Sequence, residues 1–320
     1  MKKIFQKSLA VLAAASVCSS MLLNFPSGTF SIHWNWQASA EETEGSTEGI
    51  AIDAMNFPDE TFRTYVQENF DPTADGILSE SELEQVTEID VSSKGISDLT
   101  GVGYFIALKE LFCHNNNLTE LDVRQNLALQ RLQCHYNNLT ELDVSQNTAL
   151  QELFCSNNNL TKLDLSQNTA LQELHCFDNN LTKLDLSQNS ALQTLYCYSN
   201  QLKELNVSQN PKLEKLYCEN NTLTVLDVSQ NPQLGALQCS HNNLTALDLS
   251  KNSDLYYQNC SNNSYSIALT GGTFDLSTLP GNFDVSKASN WTNATVDGNT
   301  LTVTDLKTDV TYTYDLGNGK

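Results

Sequence analysis

Eight of the nine cysteines stand at a spacing of 21 residues: Cys113, Cys134, Cys155, Cys176, Cys197, Cys218, Cys239 and Cys260. Thiols in such a series could pair as disulfides, hold a metal, attack a substrate or do no chemistry at all. Pairing needs Cβ atoms about 3.8 Å apart with a set torsion. A zinc site needs a tetrahedron of ligands, often from C-x-x-C pairs, and the sequence has no such pair. A nucleophile needs a base within reach. Of the five histidines, His33 lies near the start, and His114, His135, His175 and His241 fall at positions set by the same spacing. No G-x-S-x-G, H-E-x-x-H or phosphate-cradling glycine loop occurs. The spacing predicts a column of buried thiols acting as small hydrophobes, in a chain without enzymatic chemistry.

A second constellation lies upstream. Residues 71–82, DPTADGILSESE, match much of the calcium-loop pattern D-x-[DN]-x-[DN]-G-x₅-E. Asp71 takes the first position, Asp75 the fifth and Glu82 the bidentate last one, with Gly76 at the sharp turn. Ile77 would offer its carbonyl and Ser79 would act through water. Thr73 stands where a carboxylate or amide is usual, so one charged ligand is missing. The expectation is a Ca²⁺ site built from Asp71, Thr73, Asp75, Ile77, Ser79 and Glu82. The alternative is a metal-free helix–loop–helix. A short amphipathic helix over residues 59–70 carries Phe62, Val66 and Phe70 on one side, and a second helical run ends near Val86.

Positioning belongs to a repeat. Three residues after each spaced cysteine comes an asparagine, from Asn116 to Asn263, and a second recurs ten residues later, from Asn126 to Asn252. The unit reads L-x-x-L-x-C-x-x-N-x-L-T-x-L-D-V/L-S-Q-N. Alternate residues of a strand share one face, so Leu and Cys of L-x-C point inward together. One coil cannot bury that face alone, and stacked coils bury it continuously. About nine coils, the first atypical, would span on the order of 43 Å. The first asparagine leaves the strand where backbone groups lose ladder partners. Its amide can bond to neighbouring coils, each bond worth roughly 1 kcal/mol net. The aspartates at 122, 143, 164, 185, 227 and 248 sit between inward apolar residues, so they read as a solvated outward row.

This unit resembles the leucine-rich repeat, L-x-x-L-x-L-x-x-N/C-x-L. The resemblance runs from Val86 to about Tyr265. With 21-residue coils and Cys at the second inward position, the chain is similar to the cysteine-ladder subgroup of bacterial internalin-like surface proteins. The segment GISDLTGVGYFIALKEL resembles an opening coil of that kind. The resemblance implies an α+β/β repeat fold, a parallel-strand solenoid, and an extracellular, partner-binding horseshoe.

Residues flanking the inward cysteine point out from the inner sheet. Aromatics gather there in the middle coils: Phe154, Phe177, Tyr196, Tyr198 and Tyr217, with His175 among them. Even half exposed, they would form a patch of the few hundred Å² that marks an interaction site. The opposing reading is that the rings only stack to stiffen the ladder. Glu152, Glu173 and Lys215 could supply a polar rim. The expected partner is a protein, host or microbial. A glycan is the alternative ligand, and a structural spacer without ligand is the alternative class.

The flanks complete the organisation. Residues 1–40 read as an export signal: a Lys2-Lys3 start, an apolar stretch, then Ala38-Ser39-Ala40. Residues 41–52 form an acidic linker, 53–85 the helix–loop–helix cap, 86–265 the solenoid, and 266–320 a small β module with alternating runs near 300–304 and 310–314. A formal charge of −21 argues against nucleic acid and against a polybasic membrane binder. The expected state is a monomer, secreted or loosely held at the bacterial cell surface.

Overall fold

The computed structural model describes residues 49–267, 269 and 272–318. The export signal and the first part of the acidic linker lie outside the described residues. Nine short parallel strands form one continuous sheet. They are β3 (Glu88–Asp90), β4 (Glu110–Phe112), β5 (Arg131–Gln133), β6 (Glu152–Phe154), β7 (Glu173–His175), β8 (Thr194–Tyr196), β9 (Lys215–Tyr217), β10 (Ala236–Gln238) and β11 (Tyr257–Asn259). Each strand pairs only with the strands before and after it in the chain, without a register shift. Equivalent positions of neighbouring coils therefore face each other directly. The central leucines, Leu111 to Leu237, are fully buried, and so are the cysteines from Cys113 to Cys239. This is the solenoid the repeat predicts.

Asparagine side chains bond the coils to one another. In the middle of the array, Asn158 Oδ1 accepts from Leu139 N at 2.9 Å, in the preceding coil. Its Nδ2 donates to Cys134 O at 3.0 Å and to Cys155 O at 3.2 Å. The same pattern recurs at Asn137, Asn179 and Asn200. A second column works through donors alone: Asn168 Nδ2 donates to Val144 O and Asn147 O at 3.0 and 2.9 Å. Both columns are buried. Two residues past each cysteine the backbone is left-handed, at φ 50–55° from Asn115 to Asn262. Asn, Asp, Ser, His and Tyr hold that position, and Asn and Asp tolerate it best.

The N-terminal end of the sheet is covered. Helix α1 (Glu60–Phe70) starts at Asp59, whose side chain accepts from Thr61 N and Phe62 N. It also accepts from Ser97 N at 2.9 Å, which ties the helix to the first coil. Phe57, Phe62 and Val66 are fully buried. The Phe57 ring packs edge-on to Phe62 and Tyr104, each at 5.8 Å. A Cβ on Gly101, at φ 102°, would run into that ring. The Tyr65 hydroxyl accepts from Asp90 N at 3.3 Å, so the helix satisfies a donor on β3, the edge strand. Strands β1 (Gly49–Ala51) and β2 (Ile77–Ser79) pair antiparallel, and α2 (Glu80–Gln85) follows.

After β11 the chain forms two small antiparallel sheets. One orders β12 (Thr273–Asp275), β15 (Thr300–Val303) and β14 (Ala294–Asp297). The other joins β13 (Ala288–Thr292) to β16 (Thr311–Tyr314). Hydrogen bonds and an ion pair fix this module to the last coils. Leu249 N donates to Leu316 O at 2.8 Å. The Tyr312 hydroxyl donates to Thr245 O, Thr245 Oγ1 to Pro280 O, and Asn318 Nδ2 to Gln258 Oε1, each at 2.6 Å. Lys287 pairs with Asp248 at 3.3 Å.

Replacing Asn158 by Ala leaves Leu139 N buried without a partner and takes one of two carboxamide donors from each of Cys134 O and Cys155 O. The expected cost is about 2–4 kcal/mol, or roughly 5–12 °C in Tm for a domain of this size. Calorimetry on Asn158→Ala beside the exposed Asn159→Ala checks this, and equal melting of the two would remove the ladder from the account.

Candidate functional site: the concave aromatic wall

In-register parallel strands about 4.8 Å apart force planar side chains in the same slot to lie one above another. The rings do so. Phe154 stacks on His175 at 4.4 Å, His175 on Tyr196 at 4.4 Å, and Tyr196 on Tyr217 at 4.6 Å, with planes 12–24° apart. A second column, two residues along each strand, stacks Phe177 on Tyr198 at 4.3 Å and 11°. Further back, His114 stacks on His135 at 4.5 Å. All six aromatic and histidine positions expected at the wall are brought together there, half-buried. Their stacking is the arrangement foreseen by the ladder-stiffening reading. Within each column the inner ring faces are taken, and ring edges reach the groove.

The hydroxyls distinguish this wall from a purely structural stack. Among the described residues those of Tyr196, Tyr198 and Tyr217 make no hydrogen bond to protein. Phenylalanine would stack equally well. Burial pushes all three phenols up, Tyr198 to about 12, with neighbouring acids and phenols adding to it. The groups acting on Tyr217 include Tyr256 and Tyr257. Their rings, 74% and 42% exposed, extend the wall beyond the residues singled out from sequence. Tyr256 lies against Gly235, where a Cβ would collide with it. The signal was present as small Gly235-Ala236 followed 21 residues later by Tyr256-Tyr257.

Arg131 was likewise missed. Its guanidinium lies over Phe112 and Phe154 at 5.8 and 5.7 Å and 2.7 Å from Glu152. It closes the N-terminal face of the stack with a cation. His175 Nε2 lies 2.9 Å from Glu173 Oε1. Burial between two rings nevertheless holds its imidazole down to about 4, so it is neutral at pH 7. His135 is held down to about 4 by burial, with His114 and His175 adding to it. Glu219, next in line after Tyr198, is pushed up by burial.

The thiols behave as the spacing predicts. Cys113 to Cys239 are free and buried, and burial pushes Cys155 up to about 12. Cys260 is a partly exposed free thiol, and a hydrogen bond with the Cys239 thiol lowers it. The outward aspartates are exposed. Several accept from the backbone of the serine two residues on, as Asp143 does from Ser145 N at 2.9 Å.

The 71–82 loop folds around its own groups. Asp71 Oδ2 accepts from Gly76 N at 2.9 Å, and Thr73 Oγ1 donates to Asp71 Oδ1 at 3.0 Å. Asp75 Oδ1 accepts from Ile77 N at 2.9 Å. Glu82 Oε2 accepts from both Ser79 N and Ser79 Oγ at 2.7 Å, closing a capping box on α2. Thr73 Oγ1 also reaches Glu82 Oε1 at 3.5 Å. Among the described residues no three His, Cys, Asp or Glu side chains converge as a metal would require.

The family profile described as Leucine Rich repeat matches residues 156–172 and 219–236. The solved functional domain of InlJ from Listeria monocytogenes, which includes a cysteine ladder, superposes with a TM-score of 0.57 at 37% identity, over 69% of this chain and 54% of that one. This is a bacterial internalin-like leucine-rich-repeat protein. Internalin J of L. monocytogenes serotype 4b is 39% identical over 70 residues, and that of serovar 1/2a 35% identical over 128. The chain spans only 8% and 15% of those two relatives. Internalin C2 shares the fold, with a TM-score of 0.59 at 19% identity, over 66% of this chain and 97% of that one.

The two lowered histidines give a signed pH dependence. An unfolded imidazole takes up its proton near pH 6.5, but in the folded wall it does so near 4. Their contribution is complete above pH 6.5 and is lost as pH falls towards 4. His175→Phe keeps the ring and removes the proton site. Between pH 6.5 and 4.5 its Tm should fall about 2–4 °C less than that of the parent, the response to roughly 1 kcal/mol after allowance for solvent screening. Parallel curves would place the imidazole in water.

Proposed function

We propose that this is an exported binding protein that takes a protein partner, host or microbial, on the concave wall formed by Phe154, His175, Phe177, Tyr196, Tyr198 and Tyr217, extended by Tyr256 and Tyr257. The tyrosine hydroxyls, free of protein partners and open to solvent, carry this reading. A stack made only to stiffen the sheet has no use for three phenols open to the groove. Tyrosine offers a large apolar body with a polar tip, a combination enriched where protein interfaces are strongest. Glu173 and Lys215 stand beside the rings as half-buried polar groups.

Edge-on presentation also selects the partner. A sugar ring stacks on an open aromatic face, and those faces are largely taken within the columns. Ring edges are electropositive, so they suit carbonyl oxygens, which a folded protein surface supplies in quantity. The expected site is extracellular, and the expected chemistry is recognition without catalysis.

Calcium binding in the 71–82 loop is a separate proposal. What supports it is the approach of Asp71 and Glu82 to one Thr73 hydroxyl. Asp71, Thr73, Asp75, the Ile77 carbonyl, Ser79 and Glu82 would hold the ion, and Glu82 would have to release Ser79.

Two measurements follow. The chain, immobilised, should retain a protein from host epithelial or microbial surface extracts. Tyr256→Ala with Tyr257→Ala, both exposed, should leave Tm unchanged and weaken that partner in titration calorimetry by roughly 30-fold, the scale of a 2 kcal/mol hot spot. Retention on a glycan array and not by protein would sink the proposal. For the loop, millimolar Ca²⁺ should raise Tm, and Glu82→Gln, which keeps a capping residue, should abolish the rise. An unmoved Tm in the parent chain would remove calcium.

A further inference from the structure

The two ends of the sheet are finished differently. At the first strand, Tyr65 accepts from an edge donor. At the last strand the corresponding groups are bare. In the coil before it, Cys239 N donates to Asn259 O at 2.9 Å, His241 N donates to Ser261 O at 3.2 Å, and Gly235 O accepts from Tyr256 N at 2.9 Å. One coil later the matching groups are Cys260 N, Asn262 N and Tyr256 O. None of the three has a hydrogen-bond partner among the described residues.

This edge forms one wall of a cavity of about 1040 Å³ that runs beside residues 258–263. The opposite wall is apolar and aromatic, from Trp291, Tyr312, Val303 and Leu316 in the C-terminal module. Trp291 stacks on Tyr312 at 4.7 Å, and Tyr312 is tied to Thr245, so that wall is braced against the solenoid. Tyr265 and Ile267, 39% and 37% exposed, stand at its lip. Among the described residues, Asp309 is the one charged side chain lining it. The slot thus offers two outward N–H donors and a carbonyl in β-ladder register on one side, and an apolar wall on the other.

We propose that this slot binds an extended peptide segment of a partner protein, which adds to β11 as a tenth parallel strand. The ladder fixes the chemistry of the occupant. Its carbonyls must accept from Cys260 N and Asn262 N, and one of its N–H groups must donate to Tyr256 O. Its inward residues must be apolar, to cover Cys260 in the manner of Leu237 and Cys239 in the coil before. A basic residue would answer Asp309. Strand addition at an open edge draws affinity from main-chain bonds and selectivity from alternate side-chain pockets. The slot shares Tyr256 with the tyrosine wall but uses only its backbone carbonyl, so loss of the tyrosine side chains leaves the ladder groups in place and either site can fail without the other.

The probe is a synthetic octapeptide with the sequence of residues 192–199, LQTLYCYS, its cysteine replaced by alanine. It carries the strand pattern that the array itself uses. Hydrogen exchange of the full chain, read by NMR at single amides, should slow at least about tenfold at Cys260 and Asn262 with saturating peptide, as new ladder bonds form. A peptide with proline in place of the second leucine, which disrupts the added strand, should leave both amides exchanging as before. Unchanged exchange at millimolar peptide would overturn the proposal, as would protection confined to the strands carrying Tyr196 and Tyr217. Protection that grows with protein concentration in the absence of peptide, together with dimers in sedimentation, would overturn it in favour of a second copy at the edge.

Discussion

Exact registration of one coil on the next is the constraint from which the rest of this molecule follows. It is enforced by buried carboxamides that each reach back one coil. Asn158 bonds Leu139 N and Cys134 O as well as its own turn. A slip of one residue would reverse the faces of every strand and strand both lone pairs and donors in an apolar interior. With registration fixed, any slot becomes a straight column. Leucines make a core, cysteines a thiol column, asparagines a polar spine, and planar side chains a stack of rings. The wall is therefore as ordered as the core, although nothing in the core depends on which residues compose it.

That constraint also explains what could be read in advance. The coils, their inward leucines and cysteines, the asparagine spine and the helix over residues 60–70 were legible because each is a periodic or capping signal with one physical meaning. Membership of the wall was legible too, since alternation decides which way Tyr196 or Phe177 points. Ring orientation was not. Alternation gives a side of the sheet, and only the spacing between neighbours makes Phe154, His175, Tyr196 and Tyr217 share faces. Tyr256 and Tyr257 escaped notice because the unit decays in their coil, where Gln258 stands in the leucine slot. The loop at 71–82 was ambiguous for a different reason. Ser79-x-x-Glu82 is both the end of a calcium-loop pattern and a capping box, and the fold uses it as the latter.

Charge and burial act together along the groove. Arg131 closes the ring column at one end, bridged to Glu152, while Glu219 follows the second column at the other. Between them the imidazole of His175 is kept neutral by burial. The middle of the wall thus presents phenols and ring edges, with Glu173 and Lys215 beside them, inside a protein that is strongly acidic overall. An acidic partner would be repelled by the whole surface before reaching it, and a basic one drawn in.

Because each asparagine looks back by a single coil, its hydrogen bonds join only neighbouring units. Whole units of 21 residues can therefore be duplicated or lost by unequal recombination, with only the two seams to be resealed. Lineages carrying this gene would lengthen or shorten their groove in increments of one strand spacing, and a ring column would be inherited as a movable cassette.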